Sequence, residues 1–219
     1  MHATSTTGLA ARLKAETREL HREAERSGVM AELLKGQVSP PHYRALLVSL
    51  QALYAALEAG LDCHPPEHRL WRPELRRLPA LERDLQSLPT EGATAALPAT
   101  TQRYVARLQH LTQQAPQLLL AHAYLRYLGD LHGGQVLARL VRQQPGLATA
   151  GTAFYDFGPP AQVQALVQDF RAGLDALALS PEQATALVDE ACEAFRLHQQ
   201  LFRELQALPA AAAPTGASA

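Results

Sequence analysis

Apolar residues recur along most of the chain at intervals that suit helices, β-branched runs are absent, and Leu, Ala, Gln, Glu and Arg dominate, so the pattern predicts an all-α fold. Helices are predicted at about 8–26, 29–36, 40–62, 67–76, 78–87, 99–112, 115–129 continuing bent through 143, 160–178 and 180–206. Ser39-Pro40-Pro41 and Ser180-Pro181-Glu182-Gln183 have the form of helix starts, the second with an amide at the capping-box offset. The stretch opened by Gln144-Pro145-Gly146 and closed by Phe157-Gly158-Pro159-Pro160 is predicted to be a long connection that covers one side of a site. Residues 1–8 are expected to be a flexible N-terminus, 9–206 one domain, and 207–219, rich in Ala, Pro, Gly and Ser, a disordered tail.

Composition narrows the classes. A chain of 219 residues, 47% of them hydrophobic, can bury one substantial core. Lys and Arg number 20 against 21 Asp and Glu, a net charge of -1, so nothing suggests a nucleic-acid partner. Cys63 and Cys192 show no ligand spacing and are expected to be reduced thiols. No signal-peptide core and no apolar run of about 20 residues stands out, so the chain is expected in the cytoplasm, off the membrane and as a monomer. Arg72, Arg76 and Arg77 with Glu74 and Glu82 are expected to form a charged surface on which a reductase could dock.

Two segments carry candidate chemistry. On the first helix Lys14, Arg18, His21 and Glu25 are spaced by four, three and four residues, which places them on one stripe at 3.6 residues per turn. Such a stripe is either a solvated face with ion pairs one turn apart or a metal site in which His21 ligates and Glu25 fixes the other ring nitrogen. The second segment, Tyr124 to Leu137, has a helical pattern yet holds Gly129, Gly133 and Gly134 around Asp130. Each interior Gly costs roughly 0.5–1 kcal/mol relative to Ala. Close helix packing or close approach of backbone to a flat ligand would each account for that cost.

Taken together, the two segments resemble the heme oxygenases. Leu13 to Glu25, then Met30 and Lys35-Gly36-Gln37, is similar to the family's proximal helix, and Arg126-Tyr-Leu-Gly-Asp-Leu-His-Gly-Gly-Gln-Val-Leu137 to its distal-helix signature. Weaker matches at Gln102–Leu108, Leu118–Tyr124, Phe170-Arg171 and Gln200–Leu205 run in family order. The resemblance implies a helical bundle with heme b, both substrate and cofactor, between proximal and kinked distal helices. It further implies His21 as iron ligand, Glu25 as its second partner and Met30 as a heme contact. Lys14, Arg18, Tyr124 and Arg171 would face the heme propionates. Gly129 and Gly133 would let the backbone lie over the ring, Gly134 would help the kink, and Asp130 would anchor a water network near bound oxygen. The implied reaction uses O2 and electrons from an external donor, a ferredoxin, a flavoprotein reductase or ascorbate, to open heme to biliverdin, CO and ferrous iron. A non-catalytic heme carrier or sensor is the alternative. His132 stands where many relatives have Ser and is expected to turn aside from the iron, and His198 is given no role.

Overall fold

The computed structural model describes residues 8–90, 96–147 and 151–209, so the expected N-terminal flexibility of residues 1–7 and the tail beyond Pro209 lie outside the described residues. Among the described residues the regular structure is helical, without strands. The helices are α1 (Leu9–Glu16), α2 (Arg18–Glu25), α3 (Gly28–Leu34), α4 (Pro40–Cys63), α5 (Leu78–Ser87), α6 (Ala99–Gln114), α7 (Leu119–Ala123), α8 (Gly129–Arg142), α9 (Pro160–Asp175) and α10 (Pro181–Gln206).

The longest helices, α4 and α10, form the frame. Ser39 caps α4 by accepting from the His42 N–H at 3.3 Å, with Pro40 and Pro41 in the first turn. Ser180 and Gln183 complete the expected capping box on α10. Tyr43, Leu46, Leu47, Leu50, Leu53 and Leu57 of α4 are buried, and the helix packs against α5 and α6. By length and composition α4 could cross a bilayer, a property the sequence reading passed over, but here its apolar side chains make the core. On α10 the neighbours are α2, α3 and α7. Gly28, at φ +46°, is required where α3 starts against α10, because a Cβ there would lie 1.9 Å from the Phe202 carbonyl oxygen.

Several boundaries differ from expectation for physical reasons. The first predicted helix is broken at Thr17, whose hydroxyl donates to the Leu13 carbonyl at 2.8 Å while its backbone takes φ -95° and ψ 0°. Residues 67–76 do not form a helix, and only a 3-10 turn, Pro73–Leu75, is present there. The reason is that Arg77, expected on the surface, is buried beneath this segment. Its guanidinium donates to the carbonyls of Glu74, Leu75, Phe154 and Asp156. At the other end of the chain Leu208 still packs on the core, and its carbonyl accepts from His42 Nε2 at 3.1 Å, so the ordered fold runs past 206.

The distal helix is irregular just before the glycines. Tyr124–Leu128 forms a π-helical turn between α7 and α8, whereas Gly129, Gly133 and Gly134 sit within regular α-helix. A π turn inserts an extra residue and re-aims the side chains that follow it, a feature often found at functional sites.

Candidate functional site

A large cavity of about 920 Å³ opens between α1–α2 and α8, near the top of the ~300–1,000 Å³ range of ligand sites. It gathers nearly every residue nominated from the sequence. Lys14, Arg18, His21 and Glu25 line it from α1 and α2, and Met30 from α3. Tyr124, Gly129, Asp130 and Gly133 line it from the π turn and α8, and Arg171 from α9. Phe154 and Tyr155, in a 3-10 turn of the 144–160 connection, supply a further wall, as expected of that segment. Residues 148–150 of the connection are outside the described residues. Asp84 pins this wall by accepting from the N–H groups of Ala153 and Phe154 at 2.8 and 2.7 Å.

Gly134 is the exception among the nominated residues. A Cβ there would meet the Tyr155 carbonyl oxygen at 3.3 Å, so this glycine serves close packing of α8 on the connection and does not face the cavity. At Gly129 and Gly133 an added Cβ would meet nothing within 4 Å. Close packing thus accounts for one of the three glycines, and the other two leave bare backbone facing open space. The exposed large apolar side chains among the described residues, Leu34 and Val136, also line this cavity. An apolar rim beside a smooth helical backbone suits a flat, largely apolar ligand with charged groups at one edge.

The α2 side is accessible. His21 is half-exposed, its ring packs edge-on against Phe195 at 5.8 Å, and its Nδ1 lies 3.8 Å from a Glu25 carboxylate oxygen. That separation is longer than a hydrogen bond but leaves Glu25 poised on the Nδ1 side, with Nε2 free. Among the described residues no three His, Cys, Asp or Glu side chains converge to hold a bare ion. One imidazole fits an iron that arrives already held by a macrocycle.

The α8 side is closed and already satisfied. Asp130 is buried and accepts from the Tyr54 hydroxyl and from Arg126 Nη2, the latter at 2.8 Å. Burial pushes the Asp130 carboxyl above its ordinary value, against the pull of Arg126 and Tyr54. Burial alone would lower the Arg126 guanidinium, but Asp130 and Tyr54 raise it, so the cation is secure and the carboxyl is the member nearer to taking a proton. Burial also raises Tyr54, which remains a donor. Asp130 was nominated from sequence, while Tyr54 and Arg126, 76 and 4 positions away, were not.

His198, which the sequence reading left without a role, belongs to the same cluster. It lines the cavity, is buried, and sits with Nε2 3.3 Å from Arg126 Nη1 and Nδ1 3.0 Å from the Ala194 carbonyl. Burial first and the Arg126 charge second drive this imidazole well below its ordinary value. It is therefore neutral, donating from Nδ1 to Ala194 and accepting from Arg126 at Nε2. A second buried group lies behind. Tyr104 bonds His122 Nδ1 at 2.9 Å, and His122 Nε2 bonds Glu190 at 3.0 Å. Arg107 completes the group by donating to both Glu190 oxygens. A neutral His122 satisfies both of its contacts, in keeping with burial lowering it, and Arg107 supplies the charge that keeps Glu190 an anion.

His132 is exposed at the cavity rim with both ring nitrogens engaged, Nδ1 with the Leu128 carbonyl at 2.5 Å and Nε2 with Arg171 Nη2 at 3.1 Å. These two contacts hold its ring in place at the rim.

A family model described as heme oxygenase matches residues 7–204. Heme oxygenase 1 of Synechocystis sp. is 36% identical over 203 residues, 90% of this chain and 85% of that protein. Heme oxygenase 1 of Homo sapiens is 37% identical over 205 residues, 90% of this chain and 71% of that protein. Among solved structures, heme oxygenase-1 from Synechocystis sp. in complex with heme superposes with a TM-score of 0.80 at 34% identity, covering 91% of this chain and 93% of that one. The heme oxygenase of Leptospira interrogans superposes equally well, with a TM-score of 0.80 at 30% identity over 90% of this chain and 100% of that one.

Proposed function

The chain belongs to the heme oxygenase family and is a heme-degrading enzyme, and from that premise we propose how its own residues divide the work. Bound heme supplies the iron at which O2 is reduced and the ring carbon that is oxidised, giving biliverdin, CO and ferrous iron. The residues of this chain bind, orient and move protons around it.

His21 would hold the heme iron. Glu25, on the Nδ1 side, accepts the Nδ1 proton after a small rotamer change and so fixes the tautomer that offers Nε2 to iron. Lys14, Arg18, Tyr124 and Arg171 meet the propionate edge, and Met30 packs on the ring. Gly129 and Gly133 present bare backbone to the other face, where a side chain would occupy the space that bound oxygen needs.

Asp130 is the proton-handling residue. Its carboxyl, raised by burial, is held by Tyr54 at Oδ2 and by Arg126 at Oδ1, so the group stays fixed while a second lone pair on one of these oxygens takes a proton from, or returns it to, a water in the cavity. The cationic Arg126 limits the cost of the ionised state, and Tyr54 stays protonated throughout. Electrons come from a separate donor, a ferredoxin, a flavoprotein reductase or ascorbate, and the protein works as a soluble cytoplasmic monomer.

The observation that carries this reading is the pairing of an accessible imidazole at His21 with two glycines whose missing Cβ atoms leave the same cavity open. A carrier would need the imidazole and the rim but not a desolvated Asp130 cluster, and burying such groups is expensive. Titration with hemin followed by ascorbate or a reductase tests the assignment. A Soret band that decays into the biliverdin spectrum supports it, and a Soret band that persists under O2 and reductant refutes it.

A further inference from the structure

We propose that His132 is a specificity-determining positioning residue, acting by holding Arg171 in one orientation at the mouth of the heme cavity. The inference rests on the reading of that cavity as the heme site and concerns how far the macrocycle is rotated in its plane.

Arg171 is exposed on α9. A free arginine at a rim samples many rotamers, and settling it costs side-chain entropy. His132 removes most of that freedom before any ligand arrives. Its Nε2 accepts from Arg171 Nη2 at 3.1 Å, the one side-chain hydrogen bond between α8 and α9 among the described residues. An arginine only donates, so the accepting nitrogen carries no proton, and the proton is on Nδ1, which donates to the Leu128 carbonyl. Leu128 ends the π-helical turn. The orientation of the guanidinium is thus referred back, through one imidazole, to the backbone irregularity that precedes Gly129.

The competing acceptor on α9 is already engaged. Asp175, one turn beyond Arg171, accepts from the Ala10 N–H at 2.8 Å and so ties α9 to α1 instead. With Nη2 committed to His132, the remaining N–H groups of Arg171 stay available to a carboxylate at the edge of a ligand in the cavity. Lys14 and Arg18 line the same cavity from α1 and α2. Cations on two separate elements favour a macrocycle that bears two carboxylates on one edge, and an oriented Arg171 fixes how far that edge is rotated in the plane of the ring, and with it which meso carbon lies under the distal backbone. The arrangement also keeps the His132 nitrogens from iron, since leaving it for the metal would strand both partners.

The test is a comparison of His132→Leu, which cannot accept, with His132→Gln, which can, each alone and combined with Arg171→Gln. Two readouts are used: the ratio of in-plane heme orientations, read from the heme methyl shifts in the proton NMR spectrum of the ferric complex, and the biliverdin isomer profile after turnover. His132→Leu should change the orientational ratio by roughly three- to tenfold, the scale of one exposed charged hydrogen bond. His132→Gln should restore most of it, and Arg171→Gln with His132→Leu should match Arg171→Gln alone. An unchanged ratio in His132→Leu, or an additive double variant, would overturn the proposal. So would loss of a second axial nitrogen signal on replacing His132. Failure of wild-type protein to bind hemin would instead defeat the underlying site assignment, which keeps the two outcomes apart.

Discussion

Replacing Gly129 or Gly133 with alanine should stabilise the free protein while damaging the enzyme. Both residues lie in α-helical backbone, Gly129 at φ -61° and ψ -50°, so neither needs glycine for its conformation. An added Cβ meets nothing within 4 Å at either position, so no packing is lost. What remains is helix propensity, worth about 0.5–1 kcal/mol for each exchange. The double variant should gain roughly 1–2 kcal/mol, which in a domain of this size raises Tm by about 2–8 °C. The same methyl groups project into the cavity where the backbone is proposed to approach the ligand. Forcing a methyl into a close contact costs typically 1–3 kcal/mol, so hemin affinity should fall by roughly 10- to 100-fold and turnover with it.

The control is Gly134→Ala, in which the methyl meets the Tyr155 carbonyl oxygen at 3.3 Å. Crowding against that backbone should cancel the helix gain and leave hemin affinity close to wild type. Thermal melts of the hemin-free variants, with spectroscopic hemin titrations alongside, read both quantities. The reasoning fails if Gly129→Ala and Gly133→Ala melt higher but bind and degrade heme as wild type does, for the ligand would then not touch that backbone. It fails equally if they melt lower, because the space around the two positions would not be open.

Other outcomes follow from the same geometry. His21→Ala should still fold, since the side chain is half-exposed, but its hemin complex should lack an axial nitrogen by electron paramagnetic resonance and should not make biliverdin; normal turnover would remove His21 from the mechanism. Asp130→Asn keeps shape and neutralises the carboxylate, and should lower turnover by about 10²–10⁴-fold with hemin affinity nearly unchanged. Asp130→Ala is the harsher change, because it leaves the buried Arg126 charge without its partner, at about 3–5 kcal/mol of stability. Equal turnover in Asp130→Asn and wild type would end the proton-handling role. Stability should fall with acid in two stages. His122 and His198, both lowered by burial, contribute fully above their ordinary value of 6.5 and lose that contribution as pH drops below it. Burial would raise Glu190, but hydrogen bonds from His122 and Arg107 prevail and hold it at about 2, so its contribution is whole above 4.5 and disappears between 4.5 and about 2. That second stage amounts to at most about 3 kcal/mol, reduced by solvent around Arg107. Urea melts at pH 7, 5 and 3 should show both losses, and Glu190→Gln should abolish the second; a flat profile would contradict the assignment.

What could be read in the sequence was whatever lies close together along the chain. The stripe of Lys14, Arg18, His21 and Glu25 follows from helical spacing alone, and it survives the break at Thr17 because all four residues still line one cavity. Serine caps before proline marked the starts of α4 and α10. The glycine-rich segment was visible as a costly helix, but its division of labour was not, since only neighbouring atoms separate Gly134, against Tyr155, from Gly129 and Gly133 over open space. Long-range polar pairing was invisible. Tyr54 reaches Asp130 across 76 positions and His198 reaches Arg126 across 72, and no local pattern announces either. Arg77 misled for the same reason: a run of charges is normally solvated, and only the fold shows four carbonyls waiting for this guanidinium.

The two walls of the cavity differ in a way that bears on how the enzyme achieves selectivity. On α2 the proposed ligand His21 is half-exposed, with the Glu25 carboxylate 3.8 Å away, so it can follow the iron as the macrocycle settles. On the α8 side the charged cluster has its partners in place before ligand arrives, Asp130 with Tyr54 and Arg126, Arg126 with His198. Buried polar groups satisfied in advance do not need to reorganise during reaction, which is where electrostatic preorganisation gains its effect. Adaptation is thus left to the binding wall and rigidity to the wall that handles protons. It follows that substitutions along α2 should alter chiefly hemin affinity, whereas those in the Tyr54–Asp130–Arg126–His198 cluster should alter chiefly the fate of bound oxygen. A cluster variant that lowered affinity and left the product distribution intact would reverse that assignment of the two walls.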